Sequence, residues 1–395
     1  MTQDHLTPDD LAALIALRRD LHRHPELSGQ EGRTAARIAA LLSDLGADDL
    51  VTGLGGHGVA GVFAGARPGP TVLLRCELDA LPIAETGTPD WVSTVPGTAH
   101  LCGHDGHMVT MLAVARMLSR ARPARGRVVC MFQPAEEDGT GAIAVCADPA
   151  YGALTPDWAF ALHNEPDLPR GTAHVPVGLA SAPSVGLRLD LTGTEAHACA
   201  PETGLSPAAA MARLMAELPA LSGGRFPMAD YRLVTLCHAR LGDAAFGIAP
   251  GRAEVLVTAR TTSDASLAEL VATIRALAER VAHDAGLALA ITEHDAFLAG
   301  VNHPDAARIL HSAASAAGIA TQTGVPLRAS EDFGRFGHDC PAAMLLLGAG
   351  PGPALHNPDY DFDDALIAPG AALLISAARA ALTQGQSHED RALTD

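Results

Sequence analysis

One stretch of the chain, His100-Leu101-Cys102-Gly103-His104-Asp105-Gly106-His107, gathers a thiol and three imidazoles within eight residues. These are soft and borderline donors suited to a divalent transition metal, and two glycines let the backbone fold tightly around an ion. A buried cysteine with capping histidines is the plainer reading of any one of these residues, though not of all four together. The apolar residues of 108–118 recur at helical spacing. The spacing predicts a helix from Asp105 or Gly106, with the cluster in the loop that feeds its N-terminus.

Further chemistry sits at other expected strand ends. A strand over 71–75 delivers Cys76-Glu77-Leu78-Asp79-Ala80-Leu81-Pro82, which places two carboxylates where open α/β sheets put their active sites. Asp79 reads either as part of a polar loop or as a group orienting a ligand imidazole. A buried strand over 126–132 ends in Gln133-Pro134-Ala135-Glu136-Glu137-Asp138-Gly139. Of two adjacent carboxylates with divergent directions, one can bind metal while its neighbour faces water, although an acidic pair on a loop is commonplace. A strand over 158–162 ends in His163-Asn164-Glu165, and one over 342–347 is followed by a Gly/Pro loop and Leu355-His356-Asn357. Four separate segments thus bring Cys/His, Glu-Glu, His and His to strand or loop ends, the convergence expected of a metal site on a parallel sheet.

The elements that must position these groups fall into two patterns. Thr7 caps a helix running to the turn before Pro25, and a second helix spans about 31–45 with Gly46 as its stop. His22 and His24 read as surface or packing residues. Between 184 and 295 the order is strand 184–192, helix 206–221, strands 231–241 and 252–260, helix 265–285 and strand 287–293. This βαββαβ order matches a ferredoxin-like α+β unit inserted between halves of a larger α/β domain, residues 1–183 and 296–395. Ser330-Glu331-Asp332-Phe333 reads as a helix start, 371–382 as a closing helix, and the polar residues from Gln384 onward as a frayed end.

Composition removes several classes of function. The 395 residues carry 45 acidic and 27 basic side chains, a formal charge of -18, which opposes nucleic acid and anionic membrane. Every basic residue is arginine, so a lysine Schiff base and a phosphate-loop lysine are both excluded. Seven scattered cysteines lack paired spacing and fit a reducing cytoplasm. No stretch reads as a spanning helix or leader.

Taken together, His100-Leu-Cys-Gly-His-Asp-Gly-His107, Glu77-Leu-Asp-Ala-Leu-Pro82, Phe132-Gln-Pro-Ala-Glu-Glu137, Ala161-Leu-His163, Ser330-Glu-Asp-Phe333 and Leu355-His-Asn-Pro358 resemble the metallopeptidase-like amidohydrolases. That family includes hippurate hydrolase, N-acyl-amino-acid amidohydrolases, N-acetyldiaminopimelate deacetylase and auxin-conjugate hydrolases. The resemblance implies a zinc-peptidase-like catalytic domain holding two divalent ions, manganese or zinc first and cobalt or nickel as alternatives, and a satellite domain that forms a homodimer. It also implies Cys102, His104, Glu137, His163 and His356 as metal ligands and Glu136 as general base. His197 would stabilise the oxyanion, reaching over from the partner subunit. Asn164 and Asp79 would be supporting or substrate-binding groups.

The chain departs from the family where Gly247 replaces an asparagine that helps to grip substrate and where Glu202 follows Pro201 in place of histidine. Arg260 reads either as the clamp for a substrate carboxylate or as a strand-end salt bridge. The expected reaction is hydrolysis of an N-acyl amino acid or similar small amide. The rivals are a dipeptidase of the same fold and a catalytically silent homologue.

Overall fold

The computed structural model describes residues 5–384, so all of the expected frayed end beyond Gln384 lies outside the described residues. The chain divides into two compact units. One takes in the described residues up to Ala180, Gly300–Val325 and the described residues from Asp332; the other is Ser181–Ala299 with Pro326–Glu331.

The first unit is built on an eight-stranded sheet. Its order is Asp49–Leu54, Gly58–Ala64, Arg127–Gln133, Thr71–Glu77, Trp158–Pro166, Ala342–Gly350, Ala173–His174 and Thr321–Gln322. The four middle strands are parallel to one another, and antiparallel pairings occur toward the edges. Thr71–Glu77 is buried at all seven positions, as befits a strand covered on both faces. The carboxyl ends of these four strands, at Gln133, Glu77, Pro166 and Gly350, are where the chain emits its polar side chains.

Helices pack this sheet into one apolar core. The central helix, His104–Arg120, buries 14 of its 17 residues and packs against the Pro8–Arg23 and Ile367–Leu382 helices and the Thr71–Glu77 strand. At about 1.5–3 kcal/mol for each large apolar side chain removed from water, Met108, Met111, Leu112 and Leu118 anchor it firmly. The helix begins at His104, a residue earlier than the apolar spacing suggested, because Gly103 supplies the turn at φ +91. A Cβ there would lie 2.3 Å from Asn164 Oδ1, so only glycine permits the approach. Thr7 caps the first helix, its hydroxyl accepting from Asp10 N at 3.1 Å while Asp10 accepts from Thr7 N at 2.8 Å.

Three expectations require correction. His22 is fully buried between carboxylates, because its partners come from distant segments. The expected helix start at Ser330 is instead a 3-10 helix over Asp332–His338. Residues Asp364–Leu382 are long and apolar enough to span a membrane, with mean hydropathy 1.7, yet most of that segment is buried against the core.

The second unit is a four-stranded antiparallel sheet ordered Leu233–Leu241, Arg252–Arg260, Ser184–Thr192, Ala288–Phe297, with helices Ala208–Glu217 and Asp264–Asp284. The second strand in sequence lies at one edge and the first strand is central, the ferredoxin-like arrangement. The Ala208–Glu217 helix is shorter than expected because Pro219 turns the chain into a 3-10 segment.

A candidate metal centre at the strand ends

Four segments of the first unit deliver donor atoms to one place. Cys102, just ahead of the central helix, puts its Sγ 3.5 Å from Nε2 of His163, in the carboxyl-terminal half of Trp158–Pro166. His104 Nε2 lies 3.8 Å from Glu137 Oε1 and 3.9 Å from Glu136 Oε2, and His356 Nε2 lies 3.6 Å from the other oxygen of Glu137. Cys102, His104 and His163 form one set of close donor atoms; Cys102, Glu137 and His356 form another; His104, Glu136 and Glu137 a third. Thiol, imidazole and carboxylate donors gathered this closely suit cations held between them.

Local backbone explains how each side chain is aimed. His356 takes φ +66 and Ala135, immediately before Glu136, takes φ +49, a region that residues with a Cβ rarely occupy. His356 N donates to Leu101 O at 2.8 Å, tying the loop after the Ala342–Gly350 strand to the segment that carries Cys102. Asp79 fixes two neighbours: its backbone oxygen lies 2.9 Å from His104 Nδ1, and its Oδ2 accepts from Glu137 N at 2.9 Å and from Ser28 Oγ at 2.7 Å. His163 Nδ1 donates to Asn164 O at 2.7 Å, which leaves Nε2 to face Cys102. Metal-binding imidazoles are commonly oriented in this way through the other ring nitrogen.

The electrostatics fit a cation. His104 Nε2 is buried without a hydrogen-bond partner among the described residues, a costly arrangement for a polar atom unless something binds it. Burial opposes charge on His104, but Asp79, Glu77 and Glu137 outweigh it and raise its pKa to about 10, so the surrounding carboxylates demand positive charge. Burial and the field of His107 push His163 down to about 3, and burial with His104 nearby lowers His356. Both rings are thereby kept neutral, the state that ligates metal. Asp79 stays below the usual carboxylate range against the pull of burial, because His104, the Glu137 N–H and Ser28 favour its charged form.

The remaining residues take distinct places. Asn164 is fully buried, with Oδ1 2.6 Å from His107 Nε2 and Nδ2 donating to Tyr360 Oη at 2.5 Å, so its amide is committed inside the fold. His100 does not join the donors: it is buried, with neither ring nitrogen partnered among the described residues.

In the second unit, His197 is exposed on a two-stranded ribbon opposite Ile248, and its Nδ1 accepts from Cys199 N at 3.1 Å, leaving Nε2 as the donor. Arg260 donates to Ser330 Oγ at 2.6 Å and makes no ion pair among the described residues, which removes the strand-end salt bridge as its explanation.

Sequence reasoning passed over Glu31, whose Oε1 accepts from Ala135 N at 2.8 Å and so braces the turn before Glu136. No local pattern marks it, because its partner lies 104 residues away.

A parallel-sheet domain with an inserted ferredoxin-like unit, and thiol, imidazole and carboxylate donors at its strand ends, defines a metallohydrolase architecture. The chain belongs to peptidase family M20/M25/M40, whose model matches residues 73–380. It is 30% identical over 355 residues to N-acetylcysteine deacetylase of Bacillus subtilis, covering 89% of this chain and 92% of that protein. It is 29% identical to N-acetyldiaminopimelate deacetylase of Leuconostoc citreum, covering 90% and 93%. Among solved structures, the Bacillus subtilis YXEP protein, described as a dinuclear metal binding peptidase from the M20 family, superposes with a TM-score of 0.78 at 26% identity, covering 96% of this chain and all of that one.

Proposed function

We propose that the protein is a metal-dependent amidohydrolase that cleaves an N-acyl amino acid, or a similar small amide, into a carboxylic acid and an amine. The relatives' deacetylase activities and the dinuclear solved relative support the reaction class. The observation that carries it is the meeting of Cys102, His104, Glu137, His163 and His356, with neighbouring donor atoms 3.5 to 3.9 Å apart, beside a second carboxylate, Glu136. Those five residues would hold two divalent ions, zinc or manganese before cobalt or nickel, since soft thiolate and imidazole sit with a carboxylate. When bound, the ions supply Lewis acidity and make water acidic enough to attack an amide at neutral pH.

The side chains do the rest. Glu136, next to ligand Glu137 and facing His104, accepts the proton of the attacking water on a carboxylate oxygen and gives it to the amine nitrogen as the C–N bond breaks. His197 donates from Nε2 to the carbonyl oxygen as charge develops there, reaching the site from a partner subunit in a homodimer. Arg260 clamps the substrate carboxylate with the guanidinium donors that Ser330 does not take. Asp79 holds the His104 ring and the Asn164 backbone carbonyl holds the His163 ring, and neither touches substrate. All seven cysteines are free, which accords with a cytoplasmic location.

Glu136→Gln tests the reading. It should lower kcat by at least about a hundredfold, the scale of general acid–base catalysis, while metal content by elemental analysis stays at the wild-type level. Retained turnover would remove Glu136 from the base role; a panel of acetyl-, benzoyl- and indoleacetyl-amino acids beside dipeptides separates the amidohydrolase from the peptidase.

A further inference from the structure

Beneath the candidate ligands runs a buried chain of polar side chains that the mechanism does not use. His107 follows His104 by three residues on the central helix and is buried, with Nδ1 2.6 Å from Glu77 Oε2 and Nε2 2.6 Å from Asn164 Oδ1. At one end Glu77 is gripped by Arg75, whose Nε donates to Gln133 Oε1 at 2.9 Å. At the other, Asn164 Nδ2 donates to Tyr360 Oη at 2.5 Å. The His107 ring stands edge-on to His163, with centroids 4.8 Å apart, and 5.7 Å from His104.

Four of the links belong to segments that deliver a proposed ligand, while Arg75 and Glu77 come from the neighbouring Thr71–Glu77 strand. Gln133 closes the strand before Glu136 and Glu137, Asn164 adjoins His163, Tyr360 lies in the loop after His356, and His107 shares a helical turn with His104. A flat ring with a hydrogen-bonding nitrogen at each side can bridge two such segments while buttressing two neighbouring imidazoles. A linear amide cannot do both.

We infer that His107 is a positioning residue for the metal centre, locking the two ligand imidazoles through the Glu77–His107–Asn164–Tyr360 chain. The inference rests on His104 and His163 being ligands. Orienting groups of this kind commonly govern metal affinity by ten- to a hundredfold.

The test titrates Zn2+ against a competing chromophoric chelator in wild type, His107→Gln, Tyr360→Phe and His163→Ala, and records the melting temperature of each chelator-treated protein. His107→Gln should weaken Zn2+ binding about tenfold or more. Tyr360→Phe, which leaves the imidazole and cuts only the far end of the chain, should weaken it by a smaller factor, and it carries the test if the first variant does not fold. A merely structural role would lower the metal-free melting temperature and leave affinity unchanged, and wild-type affinity in His107→Gln and Tyr360→Phe overturns the inference. Wild-type affinity in His163→Ala instead overturns the ligand assignment on which it stands.

Discussion

Two imidazoles a few ångströms apart are driven in opposite directions, His104 up to about 10 by the carboxylates around it and His163 down to about 3 by burial and its neighbours. At neutral pH the metal-free site therefore holds a proton on His104 that an incoming cation must displace, whereas His163 is already neutral. Zn2+ affinity should accordingly rise with pH between about 6.5 and 8.5, by up to roughly tenfold per unit, as competition titrations at fixed ionic strength would record. A flat profile would mean that no ligand gives up a proton. The departure at Gly247 is equally open to test. A Cβ there meets nothing within 4 Å and the backbone is not left-handed, so Gly247→Asn should fold with an unchanged melting temperature. If the asparagine of relatives grips substrate as the resemblance implies, the variant should lower KM several-fold with little effect on kcat; an unchanged KM would show that this enzyme does without that contact.

The Pro8–Arg23 helix contributes nothing to the metal site directly, yet it fastens the element that does. Arg18, fully buried, reaches Asp361 at 2.5 Å, Asp364 at 2.9 Å and Asp105 at 3.3 Å, while His22 lies 2.9 Å from Asp105 and 3.2 Å from Glu85. Asp105 sits in the first turn of the central helix, beside His104. Burial opposes the charge on His22, but Asp105 and Glu85 prevail and raise its pKa to about 10, above the value of about 6.5 that it has when unfolded. A raised folded-state pKa stabilises fully below the unfolded value and fades as pH climbs through the folded one. The urea midpoint of wild type should therefore exceed that of His22→Gln most at pH 6, and the gap should narrow toward pH 10; a gap independent of pH would rule out the charged pair. This bundle also marks the limit of legibility. The Cys102-to-His107 cluster could be read because its donors are adjacent in sequence, and the strand ends because apolar runs stop at Glu77, Gln133 and His163. His22 could not, since the carboxylates that bury it are 63 and 83 residues away and nothing beside it in the sequence signals them. Glu31 and Tyr360 escaped notice for the same reason, their partners being joined only by the folding of the sheet.

At the scale of the whole molecule, the proposed machinery is divided between two units with different tasks. The first holds every proposed ligand and the base, and the second carries His197 and Arg260. His197 is exposed in the single chain, with Nε2 free to donate, whereas an oxyanion donor acts strongly only where water is excluded. A two-fold dimer would supply that enclosure by placing one chain's His197 over the other chain's ions. Glu136→Gln and His197→Ala should each be nearly inactive as purified homodimers. Unfolded together and refolded as an equal mixture, they should regain about a quarter of wild-type activity, because half the dimers are mixed and each mixed dimer has one of its two sites intact. Sedimentation velocity on the same samples should give a dimer throughout. If His197 served the ions of its own chain, every site in the mixture would carry one lesion or the other and no activity would return; that outcome would retain the histidine in catalysis while removing the partner subunit from it.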